Sequence, residues 1–261
     1  PAVHSTFARS IVTHAEKSGR LATVTIPAPD LRPEPFLRRA SGEARGFWAR
    51  GDRWVAHRGV AVDLRDARPA GSDRYDAVAA AAMAIARDPV LADASTRGPR
   101  TRFYGGFSFR EDHQPNGVWS EFPSWVFHVP EFELEGDGSG DAWLRARTVV
   151  DADDGSDPFP ALRRRAEGLR AELAALADFH TPPARSAGRT IASDRASWEN
   201  AVRASLEAIR GGAISKAVLA RTLDVAGDER TDPVEVVARL WEVNRGSHVF
   251  LFEPTPGSAI V

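Results

Sequence analysis

An amine that can lose its proton does chemistry that arginine cannot do, because a guanidinium stays charged in a protein. Of the 34 basic residues in this chain only Lys17 and Lys216 are lysine, so the other 32 are arginine. A lysine inside such a chain marks a place where arginine does not serve. Around Lys216, residues 214–223 read as a strand with Ile214, Lys216, Val218 and Ala220 on one face and Ser215, Ala217, Leu219 and Arg221 on the other. Both faces are largely apolar, so the pattern predicts a strand covered on both sides. Complete burial disfavours the charged form of an amine by as much as ~3 to 5 pKa units, and a neutral amine is what a general base requires. The same pattern also fits a lysine at a strand start that snorkels to water or pairs with a carboxylate.

Other groupings carry less chemistry. Asp151, Asp153, Asp154 and Asp157 suggest a calcium loop, but the glycine offset is wrong and the terminal glutamate is missing, which favours a solvated loop. The glycine-rich stretch 136–140 is acidic and opens no helix, so it does not cradle phosphate. Arg163, Arg164 and Arg165 read as the solvated face of an amphipathic helix. His57, His128 and His248 fall in predicted strands with no second ligand at metal spacing, which points to structural roles. Arg221 fits a strand-end ion pair better than a bound carboxylate.

The elements that must position these residues follow from composition and pattern. The chain has 261 residues, 43% of them hydrophobic, and a formal net charge of -2. That charge balance excludes a general nucleic-acid binder, which needs an excess of positive charge. The absence of cysteine excludes disulfides, a thiol nucleophile and thiolate zinc sites. No run is long and apolar enough for a membrane span or a signal peptide, so the expected location is cytoplasmic. Strands are predicted at 21–26, 46–49, 54–57, 60–64, 102–109, 124–132 and 142–150, with an alanine-rich helix at 74–87 stopped by Pro89. Loops are expected at 135–141 and 151–157. Apolar residues spaced by three and four predict an amphipathic helix over 158–179.

Residues 180–189 form the best linker, dividing an N-terminal α+β region (1–190) from a second region (191–261). In the second region Trp198, Val202, Leu206 and Ile209 define the expected buried face of a helix, with Ser193 or Asp194 as N-cap and Gly211 and Gly212 at its end. A strand is predicted over 214–225. Asp232, Pro233 and Glu235 then sit at N-cap, N1 and N3 of a helix whose core face is Val237, Leu240 and Trp241. Two strands, 248–252 and 258–261, are joined by a hairpin at 254–257.

From Trp198 onward the sequence resembles the chorismate-binding enzymes, which include isochorismate, salicylate, anthranilate and aminodeoxychorismate synthases. The matching text is EAIRGGAISKAVLAR at 207–221, then Asp232-Pro233 and its helix, Asn244, and HVFLF at 248–252. A weaker similarity reaches back through YGGFSF at 104–109 and the stretch from Trp119 to Pro130. The resemblance implies an α+β fold of stacked, mostly antiparallel sheets with outer helices. It also implies chorismate as substrate and Mg²⁺ as cofactor. Lys216 stands where isochorismate and salicylate synthases have lysine and the two amine-transferring members have glutamine. This implies Lys216 as the base that activates water for addition at C2 of chorismate while the C4 hydroxyl leaves. The family's general acid, its metal ligands and its carboxylate binders are expected beyond Val261, so the chain reads as incomplete at its C-terminus and inactive alone. A non-catalytic binding protein of the same fold is the reading from another class. Whether the product serves quinone or siderophore synthesis, and the oligomeric state, stay open.

Overall fold

The computed structural model describes residues 19–65, 74–87, 91–92, 101–110, 112–151, 155–176, 189–191, 194–222, 224–226 and 231–261. The chain divides into two compact units, one of residues 1–180 with 233–261, the other of residues 181–232.

The first unit is built on an eight-stranded sheet. Its strands are β1 (Gly19–Pro27), β2 (Arg45–Arg50), β3 (Arg53–Arg58), β5 (Leu91–Ala92), β8 (Phe132–Gly136), β9 (Ala142–Asp151), β12 (His248–Thr255) and β13 (Ser258–Ile260). They lie in the order β13-β12-β2-β3-β8-β9-β1-β5. Every pairing is antiparallel except that of β5 with β1. A second sheet of three strands, β4 (Val62–Arg65), β6 (Tyr104–Phe107) and β7 (Trp125–Val129), has β7 at its centre.

Residues directly opposite on antiparallel strands point to the same face, and in the large sheet that rule sorts two different surfaces. One face carries the row Leu251, Phe47, Ala56, Leu134, Leu144 and Ile26, aligned across β12, β2, β3, β8, β9 and β1. All six are buried. Helices α1 (Pro33–Arg39), α3 (Phe159–Ala175) and α5 (Pro233–Val243) complete this core with Phe36 and Leu37, with Leu162, Ala166, Leu169 and Leu173, and with Val234 and Val237. At roughly 1.5 to 3 kcal/mol for each large side chain removed from water, this layer is the main source of the unit's stability. The adjacent row runs Phe252, Gly46, His57, Glu133, Arg145 and Thr25 across the same strands and faces the other way. Its polar members His57, Glu133, Arg145 and Thr25 are buried too.

The helix expected at 74–87 is α2 (Arg74–Arg87), with the expected bounds. The single strand expected over 124–132 is instead two, β7 in the small sheet and β8 in the large one. Pro130, which has no N–H to give to a ladder, falls in the break where the chain passes from one sheet to the other. Strand β8 also extends to Gly136, into the expected loop. The linker residues 180–188 lie outside the described residues.

In the second unit α4 (Arg195–Arg210) begins at Asp194, whose carboxylate accepts from the Ala196 N–H at 3.0 Å, and stops at Gly211. Strands β10 (Arg189–Ile191) and β11 (Asp224–Ala226) pair antiparallel.

Candidate functional site

Lys216 lies in the second unit, in a stretch that corrects the expectation of a covered strand. Residues 213–222 are irregular apart from bends at Ala213 and Ser215, and residues 211–222 are all exposed, Lys216 included. A strand persists only where a neighbour takes up its N–H and C=O groups. Strand β10, only three residues long, pairs with β11 and not with 214–222. The chain leaves α4 through Gly212 at φ +74, with the Ala213 N–H donating to the Ala208 carbonyl at 2.9 Å. That turn aims the Lys216 segment out from the helix end. The described residues therefore do not supply the desolvation on which the sequence argument rests.

The expected buried face of α4 is also revised. Trp198, Val202 and Ile209 are half-buried, Leu206 is exposed, and no residue of the helix is fully buried. The Arg221 guanidinium lies 5.5 Å above the Trp198 ring, beside a hollow lined by Asp194, Ser197 and Thr222. This cation–π contact is the setting of Arg221, in place of the expected strand-end ion pair.

In the first unit the polar row forms a cluster of which pattern reading named only His57, as a structural residue. Glu133, fully buried, meets Arg145 at 2.7 Å, Arg102 at 2.8 Å and Arg147 at 3.4 Å. The Tyr104 hydroxyl donates to its other oxygen at 2.9 Å. Burial opposes ionisation, but Arg147, Arg145 and Arg102 outweigh it and hold the Glu133 carboxyl down at about 2. Burial pushes the Tyr104 hydroxyl well above the usual phenol range, with the Glu133 charge adding to it. Glu135, shared by Arg102 and Arg145, is lowered as well. His128 in β7 is buried, with Nε2 3.3 Å from Asp63 and 3.1 Å from Arg65. His248 is exposed at the start of β12.

Next to this cluster is a cavity of about 660 Å³ with Trp48, Phe107, Trp119 and Phe250 among its walls. Its polar rim is already partnered: Arg110 pairs with Asp112 at 2.6 Å, and His113 Nε2 lies 2.9 Å from the Phe122 carbonyl. What it offers is apolar aromatic surface. Among the described residues no group of three or more His, Asp or Glu forms that could hold a metal ion. The described residues thus do not fit the implied Mg²⁺. Nor, among them, is any helix long and apolar enough to cross a membrane.

One large antiparallel sheet with helices on one face, joined through a buried charge cluster to a smaller sheet, defines an α+β class that solved structures share. The menaquinone-specific isochorismate synthase MenF from Escherichia coli matches with a TM-score of 0.56 at 14% identity, over 94% of this chain and 51% of that one. The likeness is one of fold, and the chain spans about half the length of that enzyme. A family model described as "Chorismate binding enzyme" matches residues 6–261, so the chain belongs to the chorismate-binding enzyme family. Among curated protein sequences none matches it.

Proposed function

We propose that this chain is part of an isochorismate synthase, an isomerase that converts chorismate to isochorismate with Mg²⁺. The carrying observation is Lys216 within the block 207–221, in a chain that the family model covers almost from end to end. In this reading the neutral Lys216 amine takes a proton from water, the water oxygen bonds to C2, both ring double bonds shift (C1=C2 to C1=C6 and C5=C6 to C4=C5), and the C4 hydroxyl leaves with a proton as water. A glutamine at 216 has no free base to take that proton, which separates water addition from ammonia addition. The fold likeness to MenF supports the same assignment. Because Lys216 is exposed, the reading includes closure of apolar surface over 214–222 when the enzyme acts.

Chorismate and Mg²⁺ supplied to the whole protein, with products separated chromatographically, test the proposal. Isochorismate as the product supports it. Salicylate with pyruvate assigns the chain to the salicylate-forming branch, and a requirement for ammonia assigns it to the amine-transferring branch. Binding of neither chorismate nor Mg²⁺ by calorimetry removes the catalytic reading altogether.

A further inference from the structure

The interface between the two sheets of the first unit contains an imidazole that the proposed reaction does not use. His57, in β3, is buried to 1% exposure, and neither ring nitrogen has a hydrogen-bond partner. Its ring stacks on Tyr104 of β6 at 4.2 Å between centroids and lies 5.7 Å from the Trp48 ring of β2. Gly46 closes the Nε2 side, since a Cβ there would stand 2.4 Å from that atom. The imidazole is thus held as an apolar wedge between the sheets, with no acceptor placed for a second ring proton.

The charges around it favour the neutral ring. The His128 imidazole of β7 and Arg147 of β9 both disfavour a proton on His57, and Glu133 of β8 is the opposing carboxylate. That carboxylate is already engaged by Arg145, Arg147, Arg102 and the Tyr104 hydroxyl. On β4, Asp63 and Arg65 act on this region through His128. Trp48 and Gly46 of β2 bring no charge. A proton added to His57 would meet Arg147 and no free acceptor.

We propose that His57 is an acid-sensitive latch between the sheets: protonating its wedged imidazole releases the three-stranded sheet, through Tyr104, from the eight-stranded one. Burial, reinforced by His128 and Arg147 against the pull of Glu133, holds the His57 pKa down at about 3. The released state, with the ring in water, titrates near the ordinary 6.5. Sign follows directly. Between these values the open form binds one proton that the closed form lacks, so the opening equilibrium rises about tenfold for each pH unit of acidification. Glu133 adds its own proton only below its ordinary 4.5. The window from pH 6.5 to 4.5 therefore excludes the Glu133 proton, and the His57 variants separate this imidazole from the other groups of the interface.

Hydrogen exchange of the full chain, followed by mass spectrometry and corrected for intrinsic rates, tests this. The expected result is that opening of β6 and β7 rises about fiftyfold from pH 6.5 to 4.5 while β8 and β9 keep their protection. His57→Gln and His57→Phe, either of which suffices, should flatten that rise by about one proton. A pH-independent β6 and β7, a rise shared equally by β8 and β9, or an undiminished slope in both variants overturns the proposal. If neither variant folds, the wild-type profile decides on the first two criteria.

Discussion

The Tyr104 hydroxyl donates to Glu133 Oε2 at 2.9 Å, a single bond from the small sheet to a carboxylate buried in the large one. Charge-assisted bonds of this kind contribute more than neutral ones, roughly 1.5 to 3 kcal/mol. Tyr104→Phe keeps the ring stacked on His57 and removes only the donor. Urea unfolding at pH 7 should show a loss of about that size. No loss would mean that the three arginines alone satisfy the carboxylate.

Glu133 sets a second, acid-dependent expectation. Its carboxyl is depressed from 4.5 to about 2 in the folded protein, so its stabilisation is fully present above pH 4.5 and disappears as pH falls through about 2. At ~1.4 kcal/mol per unit the contribution is on the order of 3 kcal/mol. Glu133→Gln leaves Arg147 buried without its carboxylate and Arg145 with Glu135 alone, and should cost about 3 to 5 kcal/mol at neutral pH. Below pH 4.5 its stability should decline less steeply than that of the wild type, as read from urea midpoints at successive pH values.

Gly46 and His57 stand opposite each other on β2 and β3, and the absence of a side chain at 46 is what admits the imidazole. In Gly46→Ala the new Cβ would approach His57 Nε2 at 2.4 Å and the Leu251 carbonyl at 2.9 Å. Overpacking of that kind costs about 1 to 3 kcal/mol. Combined with His57→Ala the two substitutions should be non-additive by at least ~0.5 kcal/mol, because the shorter partner removes the closer clash. Additivity in thermal unfolding would place the strain at Leu251 instead.

These clusters explain what was legible in the sequence and what was not. The bounds of α2, the Asp194 cap and the turn at 254–257 are dictated by neighbours within a few residues, and pattern reading finds them. The row His57, Glu133, Arg145 draws on three strands spread over almost ninety positions, and its members meet only through strand register. Alternation marks each as facing away from the helices, but no local rule says that the second face is covered as well. Pro130 lies inside the stretch read as one strand, and the transfer from β7 to β8 depends on which sheet each half joins. Around Lys216 the alternation was a correct description of the residues and a poor guide to their state, because a strand also needs a partner for its backbone.

That exposed setting makes Lys216 a clean site for mutation. Lys216→Gln removes no buried contact, so stability should stay within roughly 0.5 kcal/mol of the wild type by thermal unfolding. If the amine is the base, turnover of chorismate by the complete protein should fall by ~10²- to 10⁴-fold. Lys216→Arg refines the test, since it keeps the positive charge but cannot accept a proton near neutrality. A loss equal to that of the glutamine variant identifies proton transfer as the function of the amine. Near-normal turnover with arginine would mean that only charge is required at this position, and the general base would then have to be sought elsewhere.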